Sequence, residues 1–125
     1  RAPRTIASSL TQEHSQIQKG KGFSLAYALD GAEDGGLNFA ARLSDEISGR
    51  KMDIYTNQQS VQVYNGYFMD GTDIGKGGTP YYASAGIAIE TQGYPDAPNQ
   101  PSFSSILIDK VEKYRHITEY CFLSD

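Results

Sequence analysis

The chain has 125 residues, with 11 Lys and Arg against 15 Asp and Glu for a formal charge of −4, so it has no electrostatic reason to seek DNA, RNA or anionic lipid. One cysteine excludes an internal disulfide framework and a cysteine-built zinc cage, two histidines leave little for a histidine-rich metal site, and no run approaches the roughly 18 apolar residues of a membrane span. Thirteen Gly and 9 Tyr without Trp favour strands and turns, while a 38% hydrophobic fraction is a thin supply for a self-contained core.

Arg1-Ala2-Pro3-Arg4 has no apolar run behind it and does not read as a signal peptide. A first residue other than Met points to a processing site or an artificial boundary, with a lean toward a processed, secreted product. Residues 1–24 read as irregular, with at most one helical turn near Thr11–His14. A first strand is expected over 26–30 and a second over 37–43, where Leu37, Phe39, Ala41 and Leu43 recur at period two. The Gly-rich turn 31–36 between them makes the pair a hairpin. Ser48-Gly49 marks a turn. Met52 and Ile54, then Val61 and Val63, alternate on either side of the polar turn Asn57-Gln58-Gln59. Residues 70–80 hold four glycines and a proline and read as a loop. Further strands are expected over 86–92, 106–108 and 114–122, with Ile117, Tyr120 and Phe122 giving the last a buried face. The class is all-β. With so little apolar supply, part of the core is expected to be shared with another polypeptide.

Several motifs are weighed against chemistry and set aside. Gly75-Lys76-Gly77-Gly78-Thr79 lacks the spacing of a phosphate loop and no helix follows it. Asp70-Gly71-Thr72-Asp73 has too few oxygen ligands at fixed steps for an EF-hand. Cys121 reads as a small buried hydrophobe, and His116 as a structural strand residue. Neither a metal nor a cofactor is expected. The segment with chemical promise runs from Ile87 to Pro101. Glu90 closes an apolar strand and enters a loop stiffened by Pro95, Pro98 and Pro101. A carboxylate at a strand end has its backbone fixed and its side chain at a cleft mouth, which suits a general base, and partial burial would raise its pKa. An ordinary solvent-facing carboxylate fits the same pattern.

Glu90, Thr91, Gln92, Pro95, Asp96, Ala97, Asn99, Pro101 and Phe103 resemble the C-terminal signature of the aldose 1-epimerase (galactose mutarotase) family. The likeness extends over Ser48–Thr56, Val61–Gly71 and Tyr114–Phe122. It implies a large antiparallel β-sandwich of which residues 1–125 are the C-terminal part, completed by another chain. It further implies Glu90 as the base that takes the anomeric proton, and Gln62 as a hydrogen-bonding partner of the sugar. The histidine acid would come from a missing N-terminal part or a partner chain, since neither His14 nor His116 matches it. Where the family has Gly-Tyr-Asp-His-Asn-Phe, this chain has Gly22-Phe23-Ser24-Leu25-Ala26-Tyr27, so Ser24 stands at the sugar-binding aspartate. Tyr67 replaces the family's asparagine. Three readings stay open: a mutarotase divided between two chains, a mutarotase-like binder of a carbohydrate or protein without catalysis, and a truncated domain with an unrelated interaction role. The expected partners are a monosaccharide or glycan and a second polypeptide, with no nucleic acid and no membrane.

Overall fold

The computed structural model describes residues 3–32, 35–111 and 113–124. Two short helices, α1 (Ile6–Leu10) and α2 (Ser15–Gly20), precede eight strands: β1 (Ser24–Ala28), β2 (Asn38–Ser44), β3 (Arg50–Thr56), β4 (Ser60–Tyr64), β5 (Asp70–Ile74), β6 (Pro80–Tyr82), β7 (Ala88–Gln92) and β8 (Thr118–Ser124). The strands form three sheets, ordered β1-β4-β7, β2-β3-β8 and β5-β6. The fold is the all-β, antiparallel β-sandwich class expected from the sequence. No helix among the described residues is long and apolar enough to cross a membrane.

The described chain divides into two compact units. One is the chain up to Leu25 together with Gln62–Glu90, and the other is Ala26–Val61 together with the chain from Thr91 on.

In the first unit the expected irregular start is replaced by α1 and α2. Thr5 Oγ1 accepts from the Ser8 amide at 3.2 Å, and His14 Nδ1 accepts from the Gln16 amide at 3.3 Å, so each helix has a side-chain cap. Ile17 is the residue these helices bury. The expected loop 70–80 is a hairpin, with Asp70 opposite Tyr82 and Ile74 opposite Pro80. Its glycines earn their place: a Cβ on Gly71 would collide with the Tyr82 ring, and one on Gly75 with the Tyr81 ring. Gly75-Lys76-Gly77-Gly78-Thr79 is the hairpin turn, closed by the Gly75 amide on the Thr79 carbonyl at 2.9 Å.

In the second unit β2, β3 and β8 pair antiparallel, with Ala41 opposite Ile54 and Met52 opposite Phe122. Ile54 is fully buried at the centre of that sheet. On the other face Arg42 makes a two-pronged ion pair with Asp53, both N–H···O distances being 2.5 Å. Asp53 is 4% exposed. The guanidinium's hydrogen bonds hold its carboxyl below the ordinary aspartate range, against an opposing effect of desolvation.

The hairpin expected from 26–30 and 37–43 does not form, because β1 and β2 lie in different sheets. The glycine-rich link carries the chain from one sheet to the next, so sequence adjacency is not pairing here. Nor is there a strand over 106–108. Ile106, Leu107 and Ile108 are exposed at 52%, 85% and 56%, with no partner strand among the described residues. The face expected to be buried on the last strand stays open too, with Tyr120 at 48% and Phe122 at 77% exposure. Cys121 is half-buried rather than buried, and desolvation, then the neighbouring Glu119 carboxylate, push its thiol pKa up.

Candidate functional site

Ser24 opens β1, Gln62 sits in β4 and Glu90 in β7, which are neighbouring strands with β4 in the middle. The Asn65 amide donates to the Phe23 carbonyl and the Leu29 amide to the Gln59 carbonyl, so β1 and β4 run antiparallel. Ser24 thereby lies diagonal to Gln62, and the Gln62 carboxamide donates to Ser24 Oγ at 3.4 Å. At the other flank, the Ser60 hydroxyl at the start of β4 donates to the Gln92 and Gly93 carbonyls at the end of β7, at 3.1 and 2.9 Å. Those two strands are antiparallel as well. Gln62 and Glu90 thus stand on neighbouring strands. The face of β4 opposite Gln62 carries Val61, which is 2% exposed.

Glu90 and Ser24 are exposed and Gln62 is half-buried. The partial burial expected around Glu90 is thus not supplied by the described residues. The side chains form an open row of carboxylate, carboxamide and hydroxyl across three strands.

The rest of the signature builds its surroundings. Thr91, one step past Glu90 and therefore on the other face, has its hydroxyl 2.6 Å from the Thr118 hydroxyl and 2.8 Å from His116 Nε2. His116 precedes β8 instead of lying in a strand, is exposed, and serves as a partner to Thr91. Asp96 stands in the left-handed region at φ 62°, before the 3₁₀ turn Ala97–Asn99. Its carboxylate accepts from the Asn99 amide group at 2.6 Å and the Gln100 amide group at 2.9 Å. Those bonds, Asn99's the larger effect, keep its pKa below the ordinary range. The loop therefore folds around its own carboxylate.

Two contributors escaped the sequence reading. Tyr64, two residues beyond Gln62 and so on the same face, has its phenol oxygen accepting from the Phe68 amide at 3.0 Å. Its spacing from Gln62 was the available signal. Asn65 is 3% exposed, its side-chain amide donates to the Ser84 hydroxyl at 3.1 Å, and a Cβ on Gly22 would fall 2.8 Å from its Oδ1. That oxygen has no hydrogen-bond partner among the described residues. Asn65 thus pins the backbone that leads into Ser24, a role no motif announces. The Asp70 carboxylate is occupied within its own turn, accepting from the Thr72 amide and hydroxyl. Among the described residues no three His, Cys, Asp or Glu side chains are grouped to hold a metal ion. The second unit also has a cavity of about 530 Å³ bounded by Ala26, Ala28, Ser60, Tyr94 and Phe103.

A β-sandwich that displays a carboxylate, a carboxamide and a hydroxyl in one row offers the donors and acceptors a polyhydroxylated ring needs. Comparison with known proteins specifies the class. The aldose 1-epimerase family model matches residues 2–121. The chain is 40% identical to a galactose mutarotase of Homo sapiens over 110 residues, covering 88% of this chain and 32% of that protein. With a galactose mutarotase of Mus musculus it shares 44% identity over 84 residues, 67% of this chain and 25% of that one. An aldose 1-epimerase of Escherichia coli (strain K12) is 31% identical over 127 residues, covering 100% of this chain and 36% of that protein. The chain belongs to the aldose 1-epimerase family. It spans about a third of the length of the human and bacterial relatives.

Proposed function

We propose that the chain is the C-terminal part of a protein that interconverts the α and β anomers of a hexose. Glu90 is the general base and Gln62 and Ser24 hold the sugar's hydroxyls. The observation that carries this reading is the grouping itself: three residues far apart in sequence stand on adjacent strands, with Gln62 bonded to Ser24.

The chemistry needs two proton transfers at opposite ends of a hemiacetal. The Glu90 carboxylate takes the proton from the anomeric hydroxyl as an acid protonates the ring oxygen. The C1–O5 bond breaks, C1 becomes an aldehyde carbonyl, and rotation about C1–C2 presents its other face. The ring oxygen then adds back, and both protons return. The sugar is neither oxidised nor reduced. The acid, a histidine in this reading, comes from a part of the fold outside this chain, in the same polypeptide or in a partner. That part also covers Glu90 and supplies the desolvation a carboxylate base needs.

Anomer exchange of galactose and glucose, followed by polarimetry in the protein as its source makes it, tests the assignment. Glu90→Gln should lower the rate above buffer by about 10²–10⁴-fold, the usual worth of a positioned base, with an unchanged circular dichroism spectrum. Retained exchange removes Glu90 as the base. A wild-type protein that binds galactose without accelerating exchange selects the non-catalytic binder instead, a reading that Ser24 favours because a neutral hydroxyl stands where the family has a charged acceptor.

A further inference from the structure

The second unit holds a cavity that the anomer-exchange reading leaves unused. Its volume is about 620 Å³, the size of a small-molecule site. All its lining residues belong to the second unit, whereas Ser24, Gln62 and Glu90 belong to the first. The lining includes the aliphatic run Ile106-Leu107-Ile108 and the segment Lys113-Tyr114-Arg115. The aliphatic side chains are more than half exposed, and Tyr114 is 64% exposed. Keeping four such side chains in water is unfavourable unless something covers them.

The segment before β8 has no regular structure, yet the turn after β3 holds it in place. The Asn57 carboxamide donates to the Arg115 carbonyl at 2.7 Å, and its Oδ1 accepts from the Ile117 amide at 2.9 Å. The Thr56 hydroxyl donates to the Ile117 carbonyl at 2.8 Å. Gln58 is 9% exposed, and its Oε1 accepts from the Tyr114 hydroxyl at 3.3 Å. Asn57 and Gln58 are thus engaged in fixing the backbone on which Lys113 and Arg115 stand, a form of pre-organisation. Those two cations remain for a ligand. Among the described residues the ion pair is Arg42 with Asp53, neither Lys113 nor Arg115 has a carboxylate partner, and no carboxylate lines the cavity. Glu33 and Asp34, between the lining residues Ala32 and Gly35 in sequence, lie outside the described residues.

Two cations beside an aliphatic wall fit one class of ligand. A phosphate monoester carries nearly two negative charges at pH 7 on one group, and both guanidinium and ammonium bond phosphate oxygens well. Bare phosphate would leave the wall wet, and so would a phosphate on a polyol. We propose that this cavity binds a soluble phosphate monoester with an apolar body. The phosphate sits on Lys113 and Arg115, and the body covers Ile106, Leu107, Ile108 and the Tyr114 ring. No bond is made or broken there. The site uses none of Ser24, Gln62 and Glu90, so it stands or falls apart from the anomer-exchange reading.

Calorimetry on the protein as its source makes it tests the site with phenyl phosphate, inorganic phosphate, glucose 6-phosphate and phenol as probes. Phenyl phosphate should bind saturably and about tenfold more tightly than each of the other three, with an affinity that falls as salt is added. Lys113→Ala and Arg115→Ala should each weaken it about fivefold, with circular dichroism unchanged. Leu107→Ser should weaken phenyl phosphate and leave inorganic phosphate as it was. Lys76→Ala, which removes a cation from the β5-β6 turn, is the control for net charge and should change nothing. An equal loss in Lys76→Ala overturns the site, as does glucose 6-phosphate binding as tightly as phenyl phosphate. If Glu33, Asp34 or another part of the protein already occupies the cations, phenyl phosphate finds no site, and that absence of binding overturns the proposal as well. Co-sedimentation with vesicles containing phosphatidic acid, without binding of phenyl phosphate in solution, would assign the phosphate to a lipid headgroup and overturn the soluble ester.

Discussion

Ile54 and Phe122 lie on one face of the β2-β3-β8 sheet and differ in burial from 0% to 77% exposure. That contrast makes the energetic prediction sharp. Ile54→Ala removes about three methyl or methylene groups at ~0.8 kcal/mol each, close to ~2.4 kcal/mol of lost transfer energy. A residual cavity of roughly 50 Å³ at ~24 cal/mol per Å³ adds ~1.2 kcal/mol, for a total near ~3.5 kcal/mol. With an unfolding entropy of ~2.1 cal/mol/K per residue, that total lowers Tm by about 13 °C if these residues unfold as their own unit, and by proportionally less if they unfold together with a larger sandwich. Phe122 has about a quarter of its surface buried by the described chain, so Phe122→Ala should cost only ~0.5 kcal/mol if nothing further covers the ring. Covered by the rest of a sandwich or by a partner, the same change should cost ~3 kcal/mol or more. Urea and thermal unfolding of both variants, in the protein as its source makes it, read these numbers directly. An Ile54→Ala cost below ~1 kcal/mol would refute the placement of Ile54 at the centre of a packed sheet. A Phe122→Ala cost near ~0.5 kcal/mol would refute the expectation that the open face has a covering partner.

Ser24→Asp restores a charged acceptor beside Gln62 and should tighten galactose binding about fivefold, since a charge-assisted hydrogen bond gains roughly 1 kcal/mol over a neutral one. Calorimetry that shows no change would mean the row serves some other ligand. Arg42→Met tests the ion pair on the second unit's sheet. Arg42 lowers the folded pKa of Asp53, so the pair's stabilisation is present above the ordinary aspartate value of about 3.9 and lost as pH falls through the lowered folded value. The variant should be less stable at pH 7 and lose less on acidification. Parallel stability–pH curves for the two proteins would contradict that linkage.

Most of the strands were legible from residue type, because period-two alternation marks Leu37–Leu43 and Val61–Val63 whatever they pair with. Which strand pairs with which was not. The Gly-rich link after β1 has the composition of a hairpin turn, yet it carries the chain to a different sheet. Composition reports that the chain reverses and is silent on where it lands. Residues 70–80 failed for the opposite reason. Their glycines suggested a loop, whereas Gly71 and Gly75 make room in a hairpin for Tyr82 and Tyr81. Ile106–Ile108 has strand composition but no neighbouring strand among the described residues, and a β-ladder is a property of two segments. At the site, Gln62, Ser24 and Glu90 were readable one by one through a family pattern. Their placement on adjacent strands required the sheet order. Asn65 and Tyr64 act through the backbone of other residues, which no local motif encodes.

The Asp96 loop carries a lesson about what a signature certifies. Asp96 and Asn99 are among the residues that make this stretch conspicuous, and both are engaged, with Gln100, in holding the loop together. Their pattern is an assembly instruction for a rigid corner. Glu90, the residue proposed above to carry the chemistry, is a single letter beside it. A descendant that exchanged that letter would keep the corner and the fold, and would still be recognised as kin, while performing no isomerisation at all. Kinship detected through this stretch is evidence of architecture first, and activity has to be established at one carboxylate.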